Sequence, residues 1–470
     1  MKIKLKYTVL RLMLALACVP LDIVAEVVPF PFPGEFYRTM HNDDFTVTVR
    51  PVGQREWTDL FECNVKVDMD TKSDASFVQF DFDGKVEVCI QKNNGDLNAV
   101  VIRPLARNIR PKVKGNIIRF ILDKPQDLTV ECNGDRLHNL HIFTNPLEGK
   151  RPARDDKHVM YFGEGLHEPE DKDRKEWKIP SNTTVYLEPG AVLKGRLSCD
   201  SVENVKIVGR GCLLAPPQGF SITYSKNIRI EGVTVINPEH YTVWGGQSQD
   251  ITIKRLRSFS YQEWCDGIDM MSCHDVHIDS VFLRNSDDCL AFYNHRAQYY
   301  GGTSNVTVEN SVLWADVAHP INIGGHGNAF ADPGETMEKV TMRNIDVLEH
   351  DEDASAYHGC IAVDAGDRNL VRNVLFENIR VESIQEGCLI YVKVRFNQHY
   401  DKQPGRGVEN VVFRDIFYNG PNETPSVLMG YDTDRVVKEI TFDNVRVNGR
   451  KIKSLESFQT NAFVKDIHFK

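Results

Sequence analysis

The phrase "ENVKIVG" at residues 203–209 returns as "KNIRIEG" at 226–232, "QDITIKR" at 249–255, "HDVHIDS" at 274–280 and "SNVTVEN" at 304–310. Each copy opens around a polar turn residue: Asn204, Asn227, Asp250, Asp275 or Asn305. Apolar and polar side chains then alternate with the period of two of a strand buried on one face. Further copies, "EKVTMRN", "RNVLFEN", "ENVVFRD", "KEITFDN" and "KDIHFK", carry the pattern to Lys470. The turn residues are first 23, 23 and 25 residues apart, then 30, 34, 34 and 37. A constant strand with inserts of variable length suits stacked coils, whose strands must pair above and below while their loops are free to grow. Helical periodicity is absent between the strands, which disfavours a βα barrel or a leucine-rich horseshoe. The expected fold is all-β, with a right-handed parallel β-helix of roughly ten coils over residues 181–470.

Residues 26–150 read differently. Short alternating runs such as "DFTVTVRPV", "ASFVQFDF", "VEVCIQK" and "QDLTVECNG", separated by Gly, Asp, Asn and Pro, predict a small antiparallel β-sandwich. The charged stretch 151–180, with "RPARDDKH" and "HEPEDKDRKEWKIP", is expected to be a linker that caps the first coil. Residues 1–25 combine Lys2, Lys4, Lys6 and Arg11 with an apolar run from Leu12 and small residues ending at Ala25, the pattern of a signal peptide. Cys18 follows Ala15-Leu16-Ala17, a poor lipidation box, so a lipoprotein is the lesser alternative to a secreted or periplasmic protein. No later segment approaches the roughly 18 apolar residues of a membrane span.

A formal net charge of -10 gives no long-range attraction for nucleic acid or anionic lipid. The eleven cysteines contain no CxxC pair and no metal-finger spacing, so neither a disulfide framework nor a metal is expected. Cys265, Cys273 and Cys289 read as small buried thiols.

Those three flank an unusual concentration of acids, "EWCDGIDMMSCHDVHIDSVFLRNSDDCLAFYN" at 263–294. Asp266 and Asp287 are 21 residues apart, close to one coil, and residues one coil apart stack about 4.8 Å from each other. Asp266, Asp287 and Asp288 are therefore expected on one outer wall. Such crowding raises some of the pKa values and holds a proton at neutral pH. Glycosidic bond cleavage needs that combination: one carboxylic acid protonates the leaving oxygen while a carboxylate activates water or attacks carbon. Asp269 reads as a strand-end residue that alternation turns away from Asp266.

"CDGID" followed by "NSDDCLAF" on a parallel β-helix resembles glycoside hydrolase family 28, the polygalacturonases. It is also similar to family 49 of the same clan, the dextranases and isopullulanases, which carry a β-sandwich before the helix. The resemblance implies Asp287 as general acid, Asp266 and Asp288 as activators of water, single displacement with inversion, and no cofactor. It also implies a site histidine. The literal "GGHG" at 324–327 offers His326, but "AHPINIGG" aligns better with the family's pattern and favours His319. The family's Arg-Ile-Lys segment, which binds the substrate carboxylate, corresponds to "GCIAVDAG" at 359–366, with Ile361 and Val363 where cations stand. Arg296, Lys393 or Arg395 would have to replace that clamp. Trp264 and Tyr293 are the candidates for stacking on sugar faces, while Trp244 and Trp314 read as packing. Asn285, Asn322 and Gln262 offer hydrogen bonds to hydroxyls.

The expected activity is hydrolysis of a polysaccharide or oligosaccharide, either a pectic one or an α-glucan such as dextran. Two other classes remain: a β-helix polysaccharide lyase using Ca2+, and a non-catalytic carbohydrate-binding solenoid.

Overall fold

The computed structural model describes residues 25–354 and 358–470. The expected leader at 1–25, including Cys18, lies outside the described residues apart from Ala25. Among the described residues no helix is long and apolar enough to cross a membrane.

The repeated phrases form one face of a parallel β-helix. A representative coil runs Gln249–Lys254, Arg257–Phe259 and Ile268–Met271; the next runs His274–Asp279, Phe282–Asn285 and Leu290–Tyr293. Each strand pairs in parallel with its counterpart one coil on. The first two faces join into a 21-stranded sheet, and the third is a separate 11-stranded sheet. Alternation within the phrase buries Val205 and Ile207, Ile251 and Ile253, or Val276 and Ile278 in one continuous interior. Each such side chain contributes about 1.5–3 kcal/mol by leaving water.

The turn residues owe their recurrence to backbone geometry. Asn204, Asn227, Asp250, Asp275 and Asn305 all adopt the left-handed conformation, with φ between 55° and 58°. Asn and Asp enter that region at the least cost of the residues with a side chain. Their side chains also link coils: Asn227 Nδ2 donates to Asn204 Oδ1 at 2.8 Å, and Asn204 Nδ2 to Asn182 Oδ1 at 2.9 Å.

Two expectations need correction. Within the stretch 151–180, Val159–Phe162, Gly165–His167 and Glu176–Lys178 are strands that pair in parallel with Thr184–Leu187, Ala191–Leu193 and Arg196–Asp200. The solenoid therefore begins inside the supposed linker, whose charged residues occupy the outward positions and turns of a first coil. The N-terminal module is a sandwich of six- and five-stranded sheets, but it is not purely antiparallel, because Ser73–Phe82 and Asp135–Asn145 run parallel. The chain leaves the first of these strands to build the other sheet before returning, and such a crossover permits parallel pairing.

The sandwich docks on the second face of the helix. Phe77 and Phe143 from the sandwich pack with Phe259, Phe282 and Trp314 from three successive coils. Buried ions fix the register of this contact. Arg257 donates from Nη2 and Nε to the two carboxylate oxygens of Asp127 at 2.8 and 3.0 Å. Arg284 donates to both oxygens of Asp316 at 2.9 and 3.0 Å and to Asn139 Oδ1 at 2.8 Å, with its guanidinium 4.2 Å over the Trp314 ring.

Candidate active site

The third sheet carries the acids at the leading edge of its strands. Pairing of Ile268 with Leu290 and of Leu290 with Ile321 sets Asp266, Asp288 and His319 in one column. Backbone bonds extend the ladder to them: the Gly267 N–H donates to Asp288 O and the Cys289 N–H to His319 O, both at 2.8 Å. Asp288, rather than Asp287, thus stands opposite Asp266, and Asp287 occupies the corner one residue earlier. Gly267 permits this approach, because a Cβ there would lie 2.3 Å from the Cys289 carbonyl oxygen. One oxygen from each of Asp266, Asp287 and Asp288 lies within 4.8 Å of the others.

Their surroundings separate them electrically. Burial and the neighbouring Asp288 charge push the Asp287 carboxyl up to about 7, although the backbone N–H groups of Asp288 and Trp264 donate to it. Burial also opposes ionisation of Asp288, but its partners prevail and hold it below the usual carboxylate value. His319 Nδ1 and the His319 N–H reach Asp288 Oδ1 at 2.7 and 3.1 Å; Asn322 Nδ2 reaches Oδ2 at 2.7 Å. Burial, then Asp269, Asp287 and Asp288, push Asp266 well above the ordinary value. The arrangement therefore places a proton-holding acid next to a carboxylate kept charged.

These groups line a cleft of about 290 Å³ whose walls include Tyr241, Trp264, Tyr293, Arg296, His326 and Arg395. The model of Glycosyl hydrolases family 28 matches residues 147–464, more than half of the sequence. The chain belongs to glycoside hydrolase family 28. Among curated proteins it is 27% identical over 257 residues to a probable endo-xylogalacturonan hydrolase A from Neosartorya fischeri, covering 52% of this chain and 57% of that one. It is 24% identical over 242 residues to a probable endopolygalacturonase D from the same organism, covering 50% and 44%. The chain spans about half the length of the curated relatives it matches. In fold it is similar to Dex49A from Penicillium minioluteum, with TM-score 0.69, 15% identity and coverage of 92% and 95%. A family 28 exopolygalacturonase from Yersinia enterocolitica follows with TM-score 0.51, 12% identity and coverage of 81% and 96%.

Within this family 28 cleft the residues expected from sequence divide. Trp264 lines it and is 47% exposed; Tyr293 lines it and donates its hydroxyl to Asp288 Oδ2 at 3.3 Å. His319 and His326 both belong to the neighbourhood: His319 is buried behind Asp288, while His326 stands on the wall with its ring 4.8 Å from that of Tyr293. Burial, with Arg296 and Arg395 nearby, lowers the His326 pKa well below the usual value and keeps it neutral.

Asn285 is not a substrate contact. It is wholly buried and donates to Ser258, Ser260 and the Cys265 carbonyl, so it anchors the turn that presents Asp266. Lys393 is also displaced, lying over the Tyr391 ring at 5.7 Å and outside the cleft lining. Its strand, Cys388–Val394, lies two coils beyond the strand that carries Asn322. Arg395 reaches the wall, yet Asp401 and the Gly325 carbonyl accept its hydrogen bonds and Asp364 lies 3.6 Å from Nη1. Gln262 is likewise absent from the lining.

At the position of the family's Arg-Ile-Lys clamp, Ile361 and Val363 belong to the interior, so Ala362 and Asp364 hold the outward positions. Arg296 is the cleft's other cation. It stacks 4.9 Å over Tyr293 and lies 3.8 Å from Asp269 Oδ2, beyond hydrogen-bond distance. Asp269 was expected to turn away from Asp266. The register instead pairs it with Trp244 and Ala291 on the outward face, where it is buried between Arg296 and Asp266. The sequence reading also missed Tyr241, Glu352, Tyr400 and Met69. Tyr241 was accessible by counting one coil back from Asp266; Met69 comes from the sandwich and carried no sequence signal. Burial pushes the Cys265 and Cys273 thiols up to about 12, far from nucleophilic use at neutral pH.

Proposed function

We propose that the protein is exported and hydrolyses glycosidic bonds in a pectic polysaccharide, with Asp287 as general acid and Asp288 as the principal base. The observation that carries this reading is the convergence of three carboxylates within 4.8 Å, with Asp287 poised at about 7 beside an ionised Asp288. Asp287 gives its proton to the leaving oxygen. Asp288, oriented by His319 and Asn322, takes one from water, and Asp266 shares the hydrogen bonds of that water. Stabilising the departing oxygen by a placed proton is worth about 10²–10⁴ in rate.

An acidic sugar is favoured over a neutral glucan because Arg296 offers a guanidinium with no hydrogen-bonded carboxylate among the described residues, next to the aromatic face of Tyr293. A uronate carboxylate would satisfy it with charge-assisted bonds. The names of the family 28 relatives, a xylogalacturonan hydrolase and polygalacturonases, agree with that preference.

The resemblance implies inversion. The alternative outcome is retention of configuration. Digestion of polygalacturonate with the product anomer followed by NMR decides between them. No increase in reducing sugar on polygalacturonate or on a xylose-substituted form would overturn the reading. A chelator-sensitive rise in ultraviolet absorbance would instead identify a lyase.

A further inference from the structure

The sandwich concentrates positive charge in a chain whose balance is negative. Residues 101–124 hold seven Lys and Arg and a single acid, Asp123. Arg103 is spent on Glu131 and Glu382 at 3.3 and 2.8 Å, and Arg107 lies 3.4 Å from Asp346. Arg107 nonetheless borders a groove where Arg110, Lys112, Arg119 and Lys124 gather. The strands Phe45–Pro51, Val86–Lys92, Ile117–Leu122 and Lys112–Lys114 belong to the five-stranded sheet, which packs on the other sheet of the sandwich and not on the solenoid. Along its outer side runs an open groove of about 780 Å³ lined by Lys85, Arg107, Arg110, Lys112, Arg119 and Lys124.

Lys85, Arg110, Lys112 and Lys124 have no ion-pair partner among the described residues and are exposed. Only Glu87 and Asp123 oppose them on the groove wall, and Glu87 is already held by Arg50 at 2.6 Å. The floor is partly apolar, with Ile121 55% and Val52 47% exposed. Beside it the Trp57 ring lies between Arg50 at 4.2 Å and Arg119 at 5.6 Å. Spaced cations over an apolar, aromatic surface match a chain of sugar rings that each carry a carboxylate.

We propose that this groove on the sandwich is a second binding site, taking a polyuronate chain apart from the cleft. This rests on the reading of the substrate as an acidic polysaccharide, and it supplies what the cleft lacks. The cleft lining includes the ionised Asp288 together with Glu263 and Asp353, acids that oppose an approaching polyanion. The groove attracts the same polymer and raises its concentration near the cleft.

The test uses the full chain carrying Asp287→Asn, so that bound polymer is not consumed, with polygalacturonate, dextran and a DNA duplex as probes. Adding Arg110→Glu, Lys112→Glu and Lys124→Glu is expected to weaken polygalacturonate binding by about tenfold or more and to flatten its salt dependence. In the chain that retains Asp287, the same three changes should leave turnover of a galacturonate trisaccharide unaltered. If the charge reversals impair folding, Gln at the three positions should give an intermediate loss. Unchanged affinity in a folded variant overturns the proposal, as does DNA binding as tight as polygalacturonate, which would mark a general anion patch. Binding through the groove without any cleavage by the native chain would uphold this site while removing the proposed activity.

Discussion

His319 grips one oxygen of Asp288 twice, from its ring Nδ1 at 2.7 Å and from its own backbone N–H at 3.1 Å. Asp287, the adjacent residue, receives only backbone N–H groups among the described residues. Two consecutive aspartates therefore differ in protonation because one faces an imidazole and the other does not.

Replacing Asp287 with Asn should lower kcat on a pectic substrate by about 10²–10⁴ while KM changes little. In the native protein the acid must be protonated, so kcat should fall as pH rises through about 7. A kcat profile against pH, with and without the substitution, checks both.

The His319→Gln change removes the ring that hydrogen-bonds Asp288 Oδ1 and lowers its pKa. Its carboxyl pKa then rises, and the acidic limb of the kcat profile should move to higher pH. Rates at mildly acid pH should drop about tenfold or more, with a smaller effect near neutrality. A merely structural histidine would lower all rates without moving that limb.

Burial of acids with raised pKa values also governs stability. Between the ordinary value of 3.8 and about 7, the folded protein retains the Asp287 proton that the unfolded chain gives up. Stability should therefore decline as pH rises through this window. Asp287→Asn should flatten that slope and raise stability at pH 8 on the order of 2 kcal/mol, discounted for coupling to the neighbouring acids. Thermal melts at several pH values measure it.

If Arg296 receives a uronate carboxylate, Arg296→Gln should reduce kcat/KM on polygalacturonate by about 10–100-fold, the worth of a hydrogen bond to a charged group. Lys should restore part of it, lacking the fork geometry. Equal losses on the uronate polymer and on its methyl ester would contradict the role.

At the junction of the modules, Arg284→Met leaves Asp316 buried without its partner and should cost about 3–5 kcal/mol of stability. Adding Asp316→Leu should recover much of that loss. Denaturant midpoints of the two variants, compared with the native chain, provide the measurement.

The solenoid was legible because one strand phrase recurs and its left-handed turn favours Asn or Asp. Lys339 and Glu439 take the same backbone conformation, with φ 59° and 58°, and were recognisable only through their flanking alternation. The first coil at 159–178 escaped notice because its strands are short and interrupted by charges. In the site, spacing brought Asp266 near the Asp287–Asp288 pair but missed by one residue which of them it faces, since a corner and not a strand separates the rungs. Asn285 and Lys393 misled for a common reason: residue type announces hydrogen-bonding capacity, whereas burial and coil number decide where it is spent. The wall contributed by Tyr400 and Met69 depends on a loop and on the other module, which local sequence does not place.

Met69 belongs to the sandwich and yet borders the cleft, so a fragment beginning near residue 147 would keep Asp266, Asp287 and Asp288 but lose one part of the wall around them. It would also leave Phe259, Phe282 and Trp314 bare to solvent. One wall of the cleft is thus a property of the seam between two modules, and neither half, grafted alone onto another scaffold, would carry the whole enclosure across.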